Sequence, residues 1–190
     1  MGILNRIKGM MLNPQAEWEA VARDMPGSLV LLRDYLMPLS LLAPLATVVG
    51  MLTFDTRWNP EYGYSLLRER APVIALATYV FQIASVYLLA GVLYLLARTE
   101  GRSPGFLVTL RVAVFGSIPV LLSGVMLVIP FGVMFTMMAM LYSFYLYYLG
   151  AERLIGIRPA DTAMFIGVVM VCMMVLSSIM GAIASALGIL

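Results

Sequence analysis

Between Ser103 and Ala151 the chain runs 49 residues with a single charge, Arg111. As one continuous helix that run would extend about 73 Å, at about 1.5 Å per residue. The hydrocarbon core of a bilayer is roughly 30 Å thick. The run must therefore fold back on itself, and Pro130, in Val128-Ile129-Pro130-Phe131-Gly132, is the natural turn. Three further charge-free stretches flank it: Tyr35–Phe54, Ala71–Ala97 and Thr162–Leu190. Each reaches the length of about 20 residues that one helical crossing needs. Segments that alternate apolar and polar residues are absent, which argues against a β-barrel. Only 12% of the residues are charged and 62% are hydrophobic, against roughly 25% charged in a soluble domain. So little charge leaves too little polar surface to cover a water-soluble globule. The expected fold class is an all-α membrane protein, a five-helix transmembrane bundle with a short N-terminal cytoplasmic amphipathic helix. The spans fall at about 35–54, 72–96, 106–128, 131–149 and 162–187. Residues 1–34 form a cytoplasmic or interfacial segment and 35–190 the membrane domain, with no linker or repeat to mark another.

Lys and Arg set the orientation. Arg6, Lys8, Arg23, Arg33, Arg98, Arg102, Arg111, Arg153 and Arg158 fall on one side of this arrangement, and Arg57, Arg68 and Arg70 on the other. Nine against three places the N-terminus in the cytoplasm and, with five spans, the C-terminus outside. Tyr142, Phe144, Tyr145, Tyr147 and Tyr148 gather at the cytoplasmic end of the fourth span, as an interfacial aromatic belt does. The N-terminal segment lacks the apolar core of a signal peptide. Ile3, Leu4, Ile7, Met10 and Met11 instead recur at helical spacing, with Arg6 and Lys8 elsewhere around the helix, which suits a helix lying on an anionic membrane face. Asn13-Pro14 then reads as the cap and first residue of a second helix, in which Trp18 and Val21 face lipid or protein.

Composition excludes several chemistries. Histidine is absent and Cys172 is the one cysteine, so no His-based triad, His-ligated metal or internal disulfide can form. The net charge of +2 is scattered and leaves no nucleic-acid footprint. None of the ten carboxylates lies within an expected span, which counts against a proton-coupled transporter. Arg111 either contacts an anion or a lipid headgroup, or snorkels to the nearby cytoplasmic edge. Gln82 is a candidate for hydrogen bonding between helices. Pro119 frees a carbonyl near Phe115, with Gly116 beside it, so the third span is expected to kink there, by packing or to open a pocket. Ser177, Gly181 and Ser185 form a stripe of small residues for close helix contact, within the bundle or between subunits. Sixteen methionines raise the question of copper, but methionine is first a flexible apolar filler. Cys172 has no charged neighbour to activate it.

Three local patterns add a resemblance. They are Asn13-Pro14-x-x-x-Trp18 before the first span, Phe115-Gly116-Ser117-Ile118-Pro119 in the third, and Leu146-Tyr147-Tyr148-Leu149-Gly150 ending the fourth. Together with five spans they resemble the Yip family of membrane proteins, named for interaction with Ypt/Rab GTPases, and in particular its short bacterial members. The resemblance runs over nearly the whole chain. It implies a five-span protein of the bacterial inner membrane. Eukaryotic relatives act in vesicle trafficking through partner proteins and long cytoplasmic N-terminal regions, whereas here about 34 residues precede the first expected span. The expected function is that of a non-enzymatic membrane protein without a cofactor. It would work through contacts with membrane lipids, other membrane proteins or further copies of itself. The alternative is a small transporter or channel.

Overall fold

The computed structural model describes residues 3–53, 64–129 and 132–186, which are helical apart from short connections, with no strand among them. Two short helices come first, α1 (Ile3–Leu12) and α2 (Pro14–Asp24). Asn13 breaks them apart, and Pro14 needs no helical partner for its missing N–H at the first position. Met25 adopts a left-handed conformation and ends α2. The long elements follow: α3 (Ser28–Gly50), α4 (Tyr64–Thr99), α5 (Phe106–Val128), α6 (Gly132–Gly150) and α7 (Pro159–Ala186).

Four of the described helices, Ser28–Gly50, Ala71–Thr99, Phe106–Val128 and Pro159–Leu176, are long and apolar enough to cross a membrane. Pro159–Leu176 has a mean hydropathy of 2.0 although only 22% of it is buried within the protein. Its exposed side chains include Met164, Val168, Val171, Met174 and Val175. An apolar face of that size is stable against lipid and not against water. The third span has the bounds its composition implied. The first begins seven residues earlier than expected, at Ser28 instead of Tyr35. Counting charge-free residues misplaces it because Arg33 and Asp34 lie on the helix itself: they pair at 3.5 Å, and the Arg33 side chain is exposed. The turn expected at Pro130 lies outside the described residues.

Two of the described helices are distorted beside a proline. In α3 the backbone widens to a π-helix over Leu31–Leu36, directly before Pro38, whose missing N–H removes a helical donor. In α5 the regular helix stops at Gly116, turns at Ser117 and resumes at Ile118. Pro119 cannot donate to the carbonyl of Phe115, and Ser117 Oγ donates instead to the carbonyl of Ala113 at 2.7 Å. From Gly124 to Val128 the helix tightens into 3₁₀ form.

α4 packs against α3, α5 and α7, while α6 packs against α5 and α7. The core lies where α1 and α2 meet the bundle. Trp18, Phe115, Met10, Leu31, Leu36, Leu93, Leu110, Ile118 and Leu146 are all fully buried there. Residues before and after position 34 thus share one core. The Trp18 and Phe115 rings meet edge to face at 6.3 Å, and Tyr35 meets Phe115 at 5.1 Å. Such pairs contribute about 0.5–1.5 kcal/mol each beyond the area they bury. Gly150, at the end of α6, makes room for the indole: a Cβ there would stand 2.8 Å from Trp18 Cη2 and 3.0 Å from Val112 Cγ1.

This notch fixes the sign of a substitution. Glycine to alanine within a helix normally stabilises, by about 0.8–1.0 kcal/mol. That outcome is expected for Gly91→Ala, since nothing lies within 4 Å of a Cβ at Gly91. Gly150→Ala should instead destabilise, by about 1–3 kcal/mol, as overpacking does. Thermal or denaturant unfolding of both variants in micelles checks the opposite signs.

Candidate functional site

Two groupings of side chains stand out, one at the junction of the α1–α2 hairpin with the bundle and one in the interior of the bundle. At the junction, Arg6 turns inward from α1 and is only 4% exposed. Its Nε lies 3.5 Å from Glu17 Oε1, its Nη2 donates to Asp24 Oδ2, and its guanidinium carbon sits 5.8 Å from the centroid of the Phe115 ring. Both acids belong to α2, so the pairing ties the two short helices together. A buried arginine without such partners would carry a large desolvation cost. Tyr142 adds a tie from α6, with its hydroxyl 3.2 Å from the Met10 carbonyl and 3.0 Å from that of Met11.

Arg111 completes the junction from α5. It is 6% exposed, and it donates from Nε to the Pro26 carbonyl at 2.9 Å and from Nη2 to the Met25 carbonyl at 3.0 Å. The planar fork of a guanidinium suits two neighbouring carbonyls. Its two described partners are backbone groups of the connection that follows α2. Nε and Nη2 of the charge in the third span are thus engaged by backbone carbonyls of the protein itself.

The regular helix of α5 breaks at Ser117, and a pocket lies beside the break. A cavity of about 550 Å³ lies between α4, α5, α6 and α7. Ser117, at the kink, lines it together with Tyr147, and their hydroxyl oxygens are 2.8 Å apart. Gly116 allows this approach, because a Cβ there would strike the Tyr147 ring. The remaining wall is chiefly apolar, including Val86, Leu89, Val120, Phe144, Ile166 and Val169, with Met140, Met170, Met173 and Met174. Gln82, Thr136 and Ser143 also line it, and Gln82 Oε1, Thr136 Oγ1 and Ser143 Oγ have no hydrogen-bond partner among the described residues. No acidic or basic side chain is among the described lining residues.

The structure brings some of the sequence-derived candidates together. Phe115 packs at the junction, Gly116 receives the Tyr147 ring, and Ser117 lines the cavity. Trp18 is buried in the core and not on the outer surface of the segment. Met10 is fully buried and Ile7 packs against the core, whereas Ile3 and Leu4 stay exposed. The side chains of Ser177, Gly181 and Ser185 lie outside the described residues. Among the described residues, no group of three or more His, Cys, Asp or Glu side chains is placed to hold a metal. Sequence reasoning missed Arg6, Glu17 and Asp24 because charges near a chain end read as solvated. It missed Thr136 and Ser143 because single hydroxyls inside an apolar run carry no pattern.

Several apolar helices with lipid-compatible faces, around a half-open cavity with no charged side chain among its described lining residues, define a multi-pass α-helical membrane protein. A family model, the Yip1 domain, matches residues 8–180. The chain belongs to the Yip1 domain family, as its three local patterns implied. No curated protein and no solved structure matches it. The family match begins within α1 and takes in all of α2, so the hairpin is part of the domain.

The Arg111 fork makes a prediction. Arg111→Met leaves the Met25 and Pro26 carbonyls without their donor, which costs about 1.5–3 kcal/mol for a charged hydrogen bond. The connection should then open more often, and trypsin should cut after the exposed Arg23 roughly tenfold faster than in the unaltered protein. An unchanged cleavage rate in micelles would show that the fork does not hold the hairpin.

Proposed function

We propose that this chain is a non-enzymatic integral membrane protein that works through contacts with lipids or other membrane proteins. The observation that carries this reading is the bundle cavity: about 550 Å³, mostly apolar, and lined by no charged side chain among the described residues. A path for ions or protons usually carries ionisable groups, whereas a cavity of methionine, leucine and valine with a few hydroxyls offers complementarity to lipid. The Ser117–Tyr147 hydroxyl pair is hydrogen-bonded internally and has no base beside it among the described residues, so it is not arranged as a nucleophile.

The membrane arrangement in this reading has five crossings. α6 is 19 residues without a charge, about 28 Å at about 1.5 Å per residue, and supplies the crossing between α5 and α7. With the excess of Lys and Arg facing the cytoplasm, the N-terminus and the α1–α2 hairpin lie on that side and the C-terminus lies outside, in the inner membrane of a bacterial cell. The exposed Ile3, Leu4, Met11 and Leu12 of α1, with Lys8 among them, then meet the membrane surface. Contact with a second copy would run through the stripe of Ser177, Gly181 and Ser185.

Purification into lipid nanodiscs followed by native mass spectrometry tests the lipid reading. Bound lipid at a fixed stoichiometry, lost when Met173→Trp fills the cavity, is expected. Flux of a small solute through proteoliposomes, abolished by the same substitution, would overturn it in favour of transport. Reporter fusions after Leu190 and within residues 150–161 test the topology. An external signal from the first and a cytoplasmic signal from the second are expected; a cytoplasmic signal from both would contradict five crossings.

A further inference from the structure

We propose that the bundle cavity seats an uncharged single-chain amphiphile, whose hydroxyl, amide or ester group hydrogen-bonds at Ser143. The proposal rests on the reading of the cavity as a lipid contact and names the class of lipid.

Hydroxyls inside helices usually satisfy themselves. Ser85 Oγ donates to the Phe81 carbonyl at 2.7 Å and Ser178 Oγ to the Met174 carbonyl at 2.9 Å, both in the helix that carries them. Ser143 departs from this: it is 1% exposed and its Oγ has no partner, and Thr136 Oγ1 and Gln82 Oε1 are likewise unpartnered. Leaving such an atom unsatisfied costs about 1–3 kcal/mol, so three of them around one cavity call for a polar occupant. Thr136, Met140, Ser143 and Tyr147 follow one another at helical spacing along a single face of α6. Ser143 therefore stands one turn from Tyr147, which already meets Ser117, and this end of the cavity forms a hydroxyl cluster that can both donate and accept.

The head must be uncharged. A phosphate, carboxylate or ammonium brought here would find no counter-charge among the lining residues, and an unpaired ion away from water carries a heavy penalty. The chain follows from the other walls. Met140, Met170 and Met173 offer flexible, polarisable contacts that conform to a hydrocarbon of no fixed shape. The volume of about 550 Å³ lies within the range of about 300–1,000 Å³ of small-ligand sites. Gln82 and Thr136 give a second polar contact for an ester or amide farther along the ligand.

The test uses the full chain in phosphatidylcholine vesicles with three photoreactive probes of equal chain length: a monoacylglycerol, a lysophosphatidylglycerol and an alkyltrimethylammonium. Mapped crosslinks are expected from the monoacylglycerol onto the lining residues Thr136, Ser143, Tyr147, Val169, Met170 and Met173, at least about tenfold above either charged probe. Ser143→Ala should lower that labelling roughly threefold to tenfold, the value of one hydrogen bond, without changing labelling of the exposed face at Met164 and Val168. Met173→Trp should abolish it; if that variant does not fold, Ser143→Ala decides alone. Equal cavity labelling by all three probes would overturn the uncharged-head proposal while leaving lipid contact standing. Labelling confined to the exposed face would overturn both. Unaltered labelling in Ser143→Ala would overturn the assignment of Ser143.

Discussion

The contact on which the rest of the structure depends is the edge-to-face stack of Trp18 on Phe115, seated in the notch left by Gly150. It joins three distant parts of the chain: the second helix of the hairpin, the middle of the third span and the end of α6. Around it the charges of the hairpin settle. Arg6 lies 5.8 Å from the centroid of the same Phe115 ring and pairs with Glu17 and Asp24, so that a cation and two acids are buried or half-covered together. Without the stack the hairpin would have little apolar reason to fold inward, and Arg6 would have no reason to leave water. The order of causes therefore runs from aromatic burial to ion pairing; partly buried ion pairs rarely stabilise a fold by themselves.

The same short stretch of the third span connects this junction to the cavity. Phe115 faces the hairpin, Gly116 receives the Tyr147 ring, and Ser117 turns its hydroxyl to Tyr147 at the cavity wall. Pro119 interrupts the helical hydrogen bonding at this point, so the break in α5 falls between the two features. A hairpin held by Trp18 and a cavity opened at Ser117 are thus separated by two residues of backbone. In the proposed function the junction is structural and the cavity carries the lipid.

The membrane character was legible because charge spacing is a global property: a 49-residue stretch with one charge admits few folds. The three patterns that signalled the family were legible as text but not as structure. Trp18, Phe115, Gly116, Tyr147 and Gly150 touch one another in space, and nothing in their sequence spacing says so. Boundaries failed where a rule about charge was too strict, as at Arg33 and Asp34, which continue the first helix by pairing on its surface. Arg111 was recognised as unusual, but its partners are backbone carbonyls some 85 positions away, and a backbone acceptor leaves no mark in a sequence. The Pro119 pattern left two outcomes open, a packing kink or a pocket. Its polar atoms were hidden because Thr136 and Ser143 sit singly in an apolar run.

The central claim is that the N-terminal hairpin is built into the bundle through Trp18. Tryptophan fluorescence in a Trp58→Phe background reads that side chain alone, since Trp18 and Trp58 are the two tryptophans. In bilayers the account predicts blue-shifted emission from Trp18, little quenching by aqueous acrylamide and little by brominated lipid, because the indole is fully enclosed by protein. Red-shifted emission quenched by acrylamide, or strong quenching by brominated lipid, would place Trp18 in water or in lipid and contradict the account.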